Sequence, residues 1–319
     1  CRSKLKFKNP MNRAFRPSRW ERHLMALRAF RMKPSLARGV VDIRVSFDDD
    51  PKYGRLLIEY GDVARGALSF GLHVHLGLPE AAARMPVMNH LRERLPHVMA
   101  LSASSPFCEG RDTGLDSWRA SLLGRYPRTG IPDAWPDEAS YLAHLARLRR
   151  TGGVEPDRGL WEDLRLHHRY STLEVRIADA HPSLARVGLI VALLQAEAAT
   201  LLTEWRAGRL GSPEPRALIE ENKWRARRRS LSTCFVDWRT DRERAVSELL
   251  DEWVARLRPA AQVLGYGHRL KKVLHAALAE GTSADHQRRW RASGLDGNGI
   301  ALALAGQTEA AAAAAAWGE

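Results

Sequence analysis

The chain has 319 residues, 45% of them hydrophobic, and a formal charge of +13. That is enough apolar material for one large domain or two modest ones, which excludes a wholly disordered polymer. Residues 1–40 hold 12 Lys and Arg against one acid, Glu21, while the remainder holds 38 basic and 36 acidic residues; the nearly neutral bulk argues against a general polyanion-binding surface.

Residues 1–45 are basic, carry three prolines and begin with Cys1. They read as a poorly folded arm, or as sequence foreign to the rest of the chain. Residues 46–302 have the composition of a globular catalytic domain, and 303–319 form a low-complexity alanine-rich tail expected to fray. No charged-then-apolar leader opens the chain, and the longest apolar run, 187–202, is broken by Gln195 and Glu197. Neither export nor a membrane span is expected. Cys1, Cys108 and Cys234 are too scattered for a disulfide framework or a thiolate zinc site, so a reducing cytoplasm is the expected location.

Within the globular part, LSFGLHVHL (68–76) alternates with period 2, setting Leu68, Phe70, Leu72, Val74 and Leu76 on one face and Ser69, Gly71, His73 and His75 on the other. TLEVRIAD (172–179) repeats the division, with Leu173, Val175 and Ile177 opposite Thr172, Glu174, Arg176 and Ala178. Helical periodicity covers 80–103, 140–150, 183–208, 215–229, 241–257 and 268–281. Strands separated by unequal helical stretches favour an α+β domain over a regular βαβ array.

The polar strand faces carry the chemistry. His73 and His75 project from one face and can meet one ligand, a metal or a phosphate oxygen, with Gly71 and Gly77 leaving the backbone open to a bulky anion; a pair of hydrogen-bonded structural histidines leaves the same pattern. Glu174 and Arg176 stand roughly 6.5–7 Å apart on one face. They suit a divalent cation and the phosphate it carries, or equally a cross-strand salt bridge. Between the strands, Ser102, Ser104, Ser105, Arg111, Arg119 and Arg128 sit in a loop-rich segment suited to wrapping an anionic substrate, or to serving as a long structural connection. No local signature makes Cys108 a nucleophile. Arg165 precedes the second strand, and Asn222, Arg225 and Arg228 share one face of a helix that either reaches a cleft or is simply solvated.

In order, GLHVHLG, LPHVMALSASSPFCEGRDTGLDSWR, PRTGIP, TLEVRIAD and NKWRARR resemble the bacterial carboxylate-amine ligase family of the second glutamate-cysteine ligase type, over roughly 52–289. The resemblance implies a glutamine-synthetase-like catalytic domain, a curved, mainly antiparallel sheet with helices packed outside and the active site in its concave face. It implies ATP-dependent amide formation through an acyl phosphate, with Mg2+ offsetting the phosphate charge and small-molecule carboxylate and amine substrates. By the same resemblance His73 and Glu174 face the metal, Arg176 contacts the nucleotide phosphates, Arg119 contacts a substrate carboxylate, and His75, Arg165, Asn222 and Arg225 lie in or near the cleft. Members of that family open with a GxExE-like carboxylate pair and carry a further acid before the histidine strand; neither is found here, and Leu166 and His167 follow Arg165 where a proline is usual. Three alternatives stand beside the ligase: an inactive relic that binds nucleotide, a metal-dependent amidohydrolase suggested by the HxH strand, and a nucleic-acid binder using the basic arm. The sequence does not fix an oligomeric state.

Overall fold

The computed structural model describes residues 51–66, 69–154, 160–167 and 170–313, so the basic stretch 1–45 lies outside the described residues. The chain divides into two compact units after Ser69. The first contains α1 (Pro51–Tyr60) and α2 (Asp62–Arg65), which meet at Gly61, where φ is +51°.

The second unit begins with β1 (Val74–Gly77) and a helical run, α3 (Arg84–Leu91) and α4 (Leu95–Ser102). Periodicity predicts one helix over 80–103; the structure tightens into a 3-10 turn at Arg92–Arg94. Pro96, in the first turn of α4, has no N–H to return to residue 92. The loop-rich segment holds β2 (Phe107–Cys108), β3 (Arg111–Asp112), the short α5 (Trp118–Leu123) and β4 (Thr129–Gly130). Then come α6 (Glu138–Arg150), β5 (Trp161–Glu162), β6 (Leu164–Leu166), β7 (Thr172–Val175) and α7 (Leu184–Arg206). The chain continues through α8 (Arg216–Arg229), the hairpin β8 (Cys234–Asp237) and β9 (Arg242–Ala245), α9 (Val246–Val263), α10 (Gly267–Glu280), α11 (Ser283–Ala292) and α12 (Gly297–Ala313).

This is an α+β arrangement of many helices and small sheets. The principal sheet has the order β1-β7-β6 and is antiparallel throughout, unlike the parallel barrel that an amidohydrolase requires. Its register places Val74, Val175 and Leu164 abreast, and Leu76, Leu173 and Leu166 abreast. All six are buried, and this face packs on α3 and α7. Period 2 then sends the intervening residues to the other face.

The predicted first strand is longer than the observed one. Leu68 lies outside the described residues, Phe70 is 51% exposed instead of in the core, and the continuous ladder begins at Val74, after an isolated antiparallel bridge between Gly71 and Asp179. The helix expected to start at 241 starts at Val246, because 242–245 pair with 234–237 across a turn in which Asp241 has φ +51°. The boundary drawn at 302 falls inside α12, where alanine's helix propensity extends a helix that also packs on α7 and α11.

Helix α7 is apolar on nearly every side, and α3, α4, α9, α10, α12 and β1 all pack on it. It is long and apolar enough to cross a membrane by length and composition alone; here those side chains form the core. Ser183 caps its start by accepting from Arg186 N. The Arg186 side chain, 2% exposed, donates to the carbonyls of Leu101, Ala277 and Gly281 at 3.3, 2.7 and 2.8 Å. One guanidinium thus satisfies carbonyls from the ends of α4 and α10. Arg186→Met should lower the unfolding free energy by about 2–4 kcal/mol, measured by urea denaturation, because it leaves buried carbonyls unpaired.

Candidate active site

The central strand β7 places Glu174 between His75 of β1 and Arg165 of β6. His73 lies two residues before His75 and Arg176 two residues after Glu174, each just outside its strand and on the same face. Glu174 is 3% exposed; its Oε2 accepts from Arg165 Nε at 2.8 Å and its Oε1 from Arg176 Nη1 at 2.7 Å. His73 Nδ1 approaches Oε1 at 3.1 Å, while His75 Nε2 and His167 Nε2 each stand 3.9 Å from a carboxylate oxygen. The sheet register therefore assembles His73, His75, Arg165, Glu174 and Arg176.

Burial opposes the Glu174 charge, but the His73 contact and the charges of Arg176 and Arg165 outweigh it and hold its pKa below the usual carboxylate range. Burial lowers the pKa of His73, and also that of His75, so both rings are neutral near pH 7. An ionised carboxylate can only accept, so its contact with neutral His73 needs the proton on Nδ1 and leaves the Nε2 lone pair available. Two guanidiniums against one carboxylate give the cluster a net positive charge, suited to an anion.

His167 and Tyr170 complete this face. Their rings stack at 4.6 Å, and the His75 ring stands edge-on to His167 at 5.1 Å. His167 has the parity of Arg165, so the alternation Leu164–Arg165–Leu166–His167 carried a signal for it. Nδ1 of His75 lies 3.0 Å from Thr172 Oγ1.

Arg119 is placed differently from the substrate contact expected of it. It is 5% exposed and donates to the carbonyls of Ile177 at 3.1 Å and Arg176 at 3.0 Å, bracing the backbone that follows Glu174. Gly71 does not open the strand to a substrate either: a Cβ there would lie 2.2 Å from Arg119 Nη2. The glycine makes room for the guanidinium.

The serines also turn inward. Asp179, missed in the sequence because it falls out of phase with Glu174, accepts from Ser104 N at 3.0 Å, Ser105 Oγ at 2.7 Å and Ser117 Oγ at 2.9 Å. Its own N–H donates to Ser102 Oγ, and Ser104 Oγ donates to Ser283 Oγ. Burial raises the Asp179 pKa, partly offset by Arg119 and these donors. The serine-rich loop is thus organised by a carboxylate of the protein itself. Arg111 lies on exposed β3, and Arg128 has φ +59° in the turn before β4.

Asn222 and Arg225 are committed to the β8–β9 hairpin. The Asn222 amide donates to Val236 O at 2.9 Å and accepts from Val236 N at 2.8 Å, and Arg225 donates to Glu221 at 2.7 Å and Glu243 at 2.6 Å. A side-chain amide matches both backbone groups of one strand residue, which explains this placement. Cys108 and Cys234 are free thiols.

As metal ligands, His73 and Glu174 do not suffice: both Glu174 oxygens already accept from arginines, and magnesium prefers an octahedral oxygen shell. Among the described residues no group of three or more His, Cys, Asp or Glu side chains is disposed to hold a metal ion.

The model of glutamate-cysteine ligase family 2 matches residues 22–305. The chain belongs to that family. The match starts inside the basic opening stretch. Family relatives from Sorangium cellulosum (strain So ce56), Ectopseudomonas mendocina (strain ymp) and Frankia alni (strain DSM 45986 / CECT 9034 / ACN14a) are 38%, 36% and 38% identical over 240, 278 and 241 residues. These alignments cover 75%, 83% and 75% of this chain and 64%, 72% and 63% of the relatives. The first two carry the provisional name glutamate--cysteine ligase 2 and the third glutamate--cysteine ligase 2-1. The chain is thus a member of the glutamate-cysteine ligase family that spans 64% of the first relative's length.

Two measurements test this geometry. Gly71→Ala should destabilise the fold by about 2–4 kcal/mol by displacing Arg119, and in a double-mutant cycle with Arg119→Ala the losses should be strongly non-additive. Glu162, on β5, has a buried Oε2 without a hydrogen-bond partner among the described residues. Burial, with Asp133 and Asp163 nearby and despite Arg216 and Arg165, raises its pKa from 4.5 to about 8. Between those values the folded chain holds a proton that the unfolded chain releases, so stability should fall as pH rises from about 5 to 8 and level off above. Glu162→Gln should flatten that decline, as followed by thermal melts across the range.

Proposed function

We propose that the chain carries the anion-binding part of an ATP-dependent carboxylate-amine ligase of the glutamate-cysteine ligase type. One observation carries the reading: a buried carboxylate, Glu174, holds Arg165 and Arg176 in place beside two neutral histidines on one face of β1-β7-β6. Family membership supplies the reaction class. In that reaction the γ-phosphoryl group of ATP passes to a substrate carboxylate, and an amine then displaces phosphate from the acyl phosphate to leave an amide.

On this reading Arg176 meets the phosphate oxygens with the N–H groups it does not give to Glu174, and Arg165 adds positive charge behind it. Glu174 fixes the arginines; His73 Nε2 remains as a neutral acceptor. Arg119 acts one step back by holding the backbone at Arg176. The reading carries with it a glutamine-synthetase-like fold, supported by the antiparallel sheet with helices on one face and the charged cluster on the other. Magnesium would need oxygen ligands besides His73 and Glu174. Free thiols at Cys108 and Cys234 support placement in a reducing cytoplasm.

The saturation of Glu174 by arginines favours one second reading, a nucleotide-binding relic without turnover. With glutamate, cysteine, ATP and magnesium, the ligase reading expects phosphate release in step with dipeptide formation, and a rate lower by about 10²-fold in Arg176→Ala. Equilibrium dialysis should find an ATP-binding component that Arg176→Ala removes. Binding without turnover selects the relic; absence of that component sinks both.

A further inference from the structure

Helix α8 has two chemically distinct faces. Lys223, 8% exposed, points inward, with Nζ 2.8 Å from Asp163 Oδ2; the carbonyl of Asp163 in turn accepts from Arg176 N at 2.7 Å. At about 100° per residue, positions 221, 225, 228 and 229 cluster around the direction opposite Lys223. These residues, with Trp224 and Thr233, line a pocket of about 340 Å³. It is therefore separated from the Glu174 cluster by the thickness of α8.

The pocket combines charge with a flat apolar surface. Glu221 is offset by Arg225 at 2.7 Å. Arg228 and Arg229 are exposed, and among the described residues their side chains form no ion pair. Trp224 is 43% exposed, and the Arg227 guanidinium lies 4.6 Å from its ring centre. Trp224 thus presents a partly open aromatic ring beside two exposed guanidiniums. The volume falls in the range of small-molecule sites.

We propose that the outer face of α8 is a second binding site, for a nucleoside phosphate: Trp224 offers a stacking surface to the base, and Arg228 and Arg229 meet the phosphate. The site requires neither a metal nor any part of the ligase reading.

Isothermal titration of the whole chain with AMP, and separately with inorganic pyrophosphate, tests the proposal. AMP should bind saturably with Kd below about 1 mM. The Arg228→Ala/Arg229→Ala double variant should weaken AMP about tenfold or more, and Trp224→Ala should weaken AMP at least about fivefold while sparing pyrophosphate. The substituted side chains are exposed, and circular dichroism checks that each variant is folded. Arg176→Ala, which tests the ligase reading, should leave this AMP binding intact. The proposal is overturned by AMP binding that survives the double arginine change but is lost with Arg176, since the ligand then sits at the Glu174 cluster. Indifference of AMP to Trp224→Ala overturns it too, as does a lack of saturable AMP binding.

Discussion

A carboxylate buried at the centre of the main sheet needs compensating charge, and the second unit is arranged around that need. Glu174 is nearly inaccessible, yet the charges of Arg165 and Arg176 and the contact from His73 keep it ionised. Removing one partner of such a pair typically costs about 3–5 kcal/mol, because the remaining charge is stranded. The partners come from the two flanking strands and from the end of β7 itself, so the charge requirement and the sheet register enforce each other. A slip of one residue would put Glu174 into the apolar layer and Leu173 among the charges.

The segments around the sheet repeat this logic with different chemistry. Arg119 gives its N–H groups to backbone carbonyls at 176 and 177, which are not paired within β7. Asp179 collects donors from Ser104, Ser105 and Ser117, drawing the loop-rich segment onto the end of TLEVRIAD. Arg186 does the same for the ends of α4 and α10. These buried polar groups satisfy ends of elements that an apolar core cannot. The arginines that looked available to substrate thus divide into braces, such as Arg119, and a smaller set beside Glu174.

Helix α8 shows why a basic run need not act as one surface. Lys223 closes an ion pair with Asp163, Arg225 holds the hairpin through Glu221 and Glu243, and Arg228 and Arg229 remain at the surface beside Trp224. In sequence these cations are adjacent. On the helix Lys223 points inward, while the arginines share the outer side, where Arg225 is paired with carboxylates and Arg228 and Arg229 are exposed.

Period 2 alone assigned His73, His75, Glu174 and Arg176 to the chemical faces of two strands, and hydrophobic periodicity located α6, α7, α8 and α10 within a few residues. Both signals are local, because side-chain direction in a regular element depends only on position along it. The hairpin at 234–245 escaped notice because its second strand, RERA, has no apolar alternation, and α12 escaped because an alanine run lacks an amphipathic face. The roles of Gly71, Arg119 and Asp179 were likewise illegible, since each is defined by a partner dozens of residues away. The sequence by itself determined which residues share a strand face and to which family the chain's motifs point. Only the tertiary structure decided that Glu174 is bound by arginines, that Arg119 braces backbone and that the serines serve Asp179, because hydrogen-bond partners are chosen by through-space distance, which spacing along the chain does not encode.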